Sequence, residues 1–193
     1  MTRIILSAAV SSFLTMGAFA QSTAPSSTPA SEVGQRVENQ QDRIAQGVKS
    51  GQLTAGETGN LEKKESAINQ EVHTDRSLND GHLTGQEKQT VNQQQNKMSN
   101  QIYQDKHNAA VQHNGTSEVG KRAGNQQDRI ANGISSGKLN AAQTARLEKG
   151  ESGVNKEVHA DRQANGGHLT GQEKQQVNQQ QNKMSARIYK AKH

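Results

Sequence analysis

The sequence predicts an all-α fold: two duplicated three-helix units built from helix–turn–helix hairpins. Three observations carry that expectation. The chain is written twice, its apolar residues fall at helical spacing, and a short turn motif returns four times. NQQDRIA at 39–45 returns at 125–131, VNQQQNKMS at 91–99 returns at 177–185, and IYQDKH at 102–107 matches IYKAKH at 188–193. The offset is 86 residues in each case (39 to 125, 91 to 177, 102 to 188). Inside each copy Gly51-x-Leu53-Thr54 recurs 30 residues on as Gly81-x-Leu83-Thr84, and Gly137 steps to Gly167 in the same way. Periods of this length mark repeated supersecondary units.

Taken in order, residues 1–20 combine an early Arg3, a short apolar run and the small-x-small ending Ala18-Phe19-Ala20. That layout predicts a secretory signal peptide cleaved near Ala20, and so a periplasmic or secreted protein. The run falls short of the ~20 residues a membrane anchor needs, so no membrane span is expected. Residues 21–32 hold both prolines amid serine and threonine and read as a flexible tether.

The first helical repeat covers 33–107 and the second 118–193. In the first, apolar residues stand at Val33, Val37, Ile44 and Val48, then Leu61, Ile68 and Val72, then Val91, Met98 and Ile102. The second repeats them as Val119, Ala123, Ile130 and Ile134, then Leu147, Val154 and Val158, then Val177, Met184 and Ile188. Steps of four and seven put side chains on one helical stripe, whereas a strand alternates every two residues. Glutamine and glutamate fill several stripe positions that a tightly packed bundle would make apolar. Between the repeats, residues 108–117 carry Asn-Gly and small residues and suit an exposed linker.

Composition narrows the function. Without residues 1–20 the only aromatics are Tyr103 and Tyr189, and no cysteine is present to form a disulfide. So few large apolar side chains bury little surface against chain entropy, which points to low stability. The formal charge is +5, with basic and acidic residues interspersed as in LEKKES at 61–66, a pattern that reads as a solvated helix face. Two tyrosines and mixed charge do not build a stacking surface for nucleic acid. No GxSxG, HExxH or phosphate loop occurs, and bulky residues to line a dry pocket are scarce. The expectation is no enzyme, no catalytic residues and no cofactor.

The repeated motif specifies a turn between helices. Thr54-x-x-Glu57, Thr84-x-x-Glu87 and Thr170-x-x-Glu173 have the form of capping boxes, and Asn140-x-x-Gln143 is the same device in other residues. Gly51, Gly81, Gly137 and Gly167 stand where the preceding helix would need a left-handed stop.

The same words resemble the exit half of an EF-hand loop. With glycine set at loop position six, position twelve is Glu57, Glu87, Gln143 or Glu173. Position one, however, becomes Gln46, Arg76, Asn132 or Arg162, and position three Val48, Leu78, Ile134 or Ala164. Calcium needs side-chain oxygens at those places, so the capping role is preferred. Asp80 and Glu87, with His82 and His168 in the turns, are the candidates for weak calcium or transition-metal binding. No two histidines stand four apart on a helix, and no standard ligand spacing appears.

The L-T-x-x-E motif at 53–57, 83–87 and 169–173 also resembles the LTxxQ signature of the Spy/CpxP periplasmic chaperones, with glutamate in place of glutamine. That resemblance implies a helical surface that holds unfolded clients. The whole pattern, RIA-x-G-x-x-S-G-x-L, then LEK, then G-x-L-T-x-x-E, ending IY-x-x-KH, looks like small exported helical proteins of proteobacterial type, which bring no activity with them. The expected role is a non-catalytic exported helical binding or structural protein. Its partner would be another protein or a second copy of itself.

Overall fold

The computed structural model describes residues 31–193; the expected signal peptide and nearly all of the expected tether lie outside them. Among the described residues six helices follow in order: α1 (Glu32–Ser50), α2 (Ala55–Leu78), α3 (Gly85–Lys106), α4 (Glu118–Ser135), α5 (Ala141–Ala164) and α6 (Gly171–Lys192). Among the described residues there is no strand. Helix α1 begins at Glu32, the last residue assigned to the tether, because Ser31 accepts from the Gly34 amide as its N-cap.

Each turn follows from its residues. Helix α1 ends at Gly51, whose φ of 73° is the left-handed conformation that glycine adopts without cost. The chain then folds back so that the Leu53 amide donates to the Gly47 carbonyl at 3.0 Å. Leu53 is fully buried, and a Cβ on Gly47 would stand only 2.6 Å from its Cδ1. Leu139 lies over Gly133 in the same way. At the other three turns the glycine sits beyond the cap: Asn79, Ser136 and Asn165 close their helices, and Gly81, Gly137 and Gly167 follow with positive φ.

Helix α3 packs on both α1 and α2, and α6 packs on both α4 and α5. The two sets then meet along a long seam, α2 against α5 and α1 against α4. Helices α2 and α5 run antiparallel there, since Gly56 faces Ser152 while Gly59 faces Ala145 and Glu148. One apolar cluster runs through both sets, including Ile44, Leu61 and Ile102 with Ile130, Leu147 and Ile188. Each such side chain contributes about 1.5–3 kcal/mol by burial. The linker is less free than its composition suggests: the Gln112 amide donates to the Gly51 carbonyl at 2.9 Å, and its side chain accepts from the Ala55 amide.

Polar residues complete the stripes. Gln40, between Val37 and Ile44, is buried and donates to the Gln95 carbonyl at 2.7 Å and to the Ser99 hydroxyl at 2.9 Å. Gln95 donates in turn to the Val33 carbonyl. Gln126 and Gln181 repeat both bonds in the second copy. These amides tie α1 to α3 and α4 to α6, with side chain bonded to backbone where a leucine would otherwise pack.

Candidate functional site

Two features meet where α2 lies against α5. The first is a set of four buried acids. Glu62, Glu65 and Glu148 are wholly buried and Glu151 is 1 % exposed. They come from LEKKES and from its copy LEKGES at 147–152, so the expectation of a solvated face fails here. Lys63, Lys64 and Lys149 do face solvent, but the acids beside them turn inward. Glu65 and Glu151 complete the stripes Leu61–Ile68–Val72 and Leu147–Val154–Val158, so helical period overrides charge. Glu62 and Glu148 lie one residue past the stripe, on the side that the other half covers; Glu148 Cβ stands 3.5 Å from where a Gly59 Cβ would be.

Few donors reach these acids. Gln41 donates to one Glu62 oxygen at 3.0 Å, and Gln127 to one Glu148 oxygen at 2.9 Å. The second oxygen of each, both oxygens of Glu65 and Oε1 of Glu151 have no hydrogen-bond partner among the described residues. A carboxylate in such a place loses its hydration, so burial favours the neutral acid. Burial pushes Glu62 and Glu148 up to about 8, with the Gln amides opposing and the neighbouring acids adding to it. Glu62 bears on Glu148 across the seam. Burial likewise takes Glu65 and Glu151 to about 7, although the Arg129 guanidinium draws Glu151 down.

The second feature is a solvent-facing groove along the outer side of the same two helices. Small residues form its floor, among them Gly56, Gly59, Ala142 and Ala145, while Lys63, Arg146, Lys149 and Lys156 stand on its walls with no acid among the lining. All four cations are exposed. Lys63 and Lys149 are repeat partners, so the duplication sets a cation on each wall.

The turns hold the other residues singled out by sequence. Thr54, Thr84, Asn140 and Thr170 each N-cap a helix, and each forms both bonds of a capping box with Glu57, Glu87, Gln143 and Glu173 respectively. In two turns an asparagine adds to the box: Asn79 donates to both Glu87 oxygens at 3.0 and 3.1 Å, and Asn165 to both of Glu173 at 2.9 and 3.0 Å. The Thr84 and Thr170 amides, foremost, hold these two carboxyls below the usual range. Asp80 has a φ of 51°, and His82 and His168 are exposed. EF-hand position one would fall at Arg76, inside α2, where its carbonyl accepts from Gly81. Among the described residues no three His, Cys, Asp or Glu side chains come together as metal ligands.

Compared with known protein families, curated proteins and solved structures, the chain matches none.

Proposed function

We propose that the chain is a non-catalytic, exported binding or structural protein that works by laying a helix face against a partner. Its working face is the basic groove between α2 and α5, and its partner is an acidic protein surface. The observation that supports this reading is the makeup of the groove: four exposed cations, no acid and a floor of small residues. A surface of one sign concentrates and orients an oppositely charged partner, and the small floor admits close approach. Export rests on residues 1–20, outside the described residues. The motif shared with the periplasmic chaperones supports a client-holding role less well. Its leucines Leu53, Leu83 and Leu169 are buried and its acids are bonded to their own turns.

A short poly-glutamate peptide tests the reading. Titrated into labelled protein at low salt and about pH 6, it should shift the amides around Lys63, Arg146, Lys149 and Lys156, and added salt should reverse the shifts. Reversing the charge at Lys63→Glu and Lys149→Glu together should abolish them. Absence of any shift at low salt, or shifts confined to another face, would refute the groove as the binding surface.

A further inference from the structure

We propose that Glu62 and Glu148, with Glu65 and Glu151 buried behind them, form a proton-operated lock on the seam. Protonated, Glu62 and Glu148 let α2 lie against α5; ionised, they part the two halves while each half keeps its helices.

All four acids are buried with almost none of their oxygens on a donor, and Glu62 and Glu148 lie on the side that the other half covers, Glu148 Cβ 3.5 Å from where a Gly59 Cβ would stand. What faces them can be counted from each packed element. From α1 comes the Gln41 amide, and Arg43 donates to the Ser99 carbonyl. From α4 come the Gln127 amide and Arg129, which also donates to the Ser185 carbonyl. From α6, Arg187 reaches Met184 beside Gly150; α3 carries Gln101 at that place, bonded to Asp105. Helices α2 and α5 oppose each other with acids, and their lysines point to solvent. One cation and two amides are too few for four carboxylates.

The duplication couples the two acids, so that they lose their protons in separate steps. Every acid has its repeat partner on the opposing helix, so an ionised Glu62 raises the cost of ionising Glu148. The amides that hold α1 to α3 (Gln40, Gln95) and α4 to α6 (Gln126, Gln181) bond to backbone carbonyls and serine hydroxyls, none of which titrates. The seam is therefore the part that yields first. Ordinary glutamates ionise far below neutrality, whereas these change charge between about 7 and about 8. The lock does not depend on what the basic groove binds.

Small-angle X-ray scattering and far-ultraviolet circular dichroism of the full chain, from about pH 5 to about pH 9, test the lock. The expected result is a radius of gyration that rises by roughly a quarter above neutrality, as two bodies of half size require, with the helical signal retained. The Glu62→Gln/Glu148→Gln double variant should stay closed over the same range. A constant radius overturns the proposal, as does a rise that coincides with loss of helix, or a double variant that opens with the parent. If the double variant is not helical at low pH, the two outcomes for the parent protein decide alone.

Discussion

Glutamate does opposite work at the turns and at the seam. At the turns Glu87 and Glu173 are half-buried, each met by a backbone amide and an asparagine side chain, and their acidity is strengthened. At the seam Glu62 and Glu148 are sealed in, met by one amide each, and their acidity is weakened far enough to keep them neutral. Donors stabilise the charged form and burial stabilises the neutral one. The difference teaches that residue type alone does not set the role; what sets it is whether the backbone offers donors where the side chain ends.

The two regions respond to pH with opposite sign. A group whose folded pKa is raised binds more protons folded than unfolded, so its contribution to stability is complete below the ordinary value and is lost as pH climbs through the folded one. For Glu62 and Glu148 that loss spans 4.5 to about 8, and for Glu65 and Glu151 4.5 to about 7. Glu87 and Glu173, held low, contribute above their ordinary value and lose it as pH falls. Thermal melting should therefore peak in mildly acidic buffer and decline toward alkaline pH. Single Glu62→Gln or Glu148→Gln variants should be more stable than the parent at about pH 8, by roughly 1–3 kcal/mol, since removing an ionisable group outweighs leaving one amide poorly paired. Parent-like melting at that pH would erase the contrast between seam and turn.

An effect of similar size belongs to the turn packing. Gly47→Ala and Gly133→Ala would drive a methyl to 2.6 Å from Leu53 or Leu139. The leucine would have to shift, at a cost of roughly 1–3 kcal/mol, independent of pH. Chemical denaturation at two pH values checks both the size and the independence. Smaller again are the caps: Thr84→Ala and Thr170→Ala should each cost ~1 kcal/mol. Unchanged melting in both would mean that these boxes add nothing to the turns. The smallest effect expected is that of millimolar calcium, which should leave melting unmoved. A micromolar site would then be ~1,000-fold above its dissociation constant and would add ~4 kcal/mol.

The fold was legible because two signals agreed. The stripes Val33–Val37–Ile44–Val48 and Val91–Met98–Ile102 gave the helices, and the capped turns separated them. Each stripe has a gap where the next apolar residue is due, and Gln40, Glu65 and Gln95 fill those gaps; a strict reading of period would have buried all three. The charge pattern of LEKKES argued the other way and misled, because the lysines between the acids do face water. Glu62 and Glu148 lay further out of reach. They sit beside the stripe, on a face that the other copy helps to cover, and periodicity within one copy does not say which second face its duplicate will meet. The groove was hidden for the same reason: Lys63 and Lys149 stand 86 residues apart and become neighbours only across the seam.

The account rests on the seam acids being neutral in the folded protein, and side-chain carboxyl carbon NMR through a pH titration measures that directly. Glu62 and Glu148 should titrate near 8 and Glu65 and Glu151 near 7, while Glu87 and Glu173 titrate below the ordinary glutamate value. Six carboxyls that titrate together near 4.5 in the folded chain would contradict it.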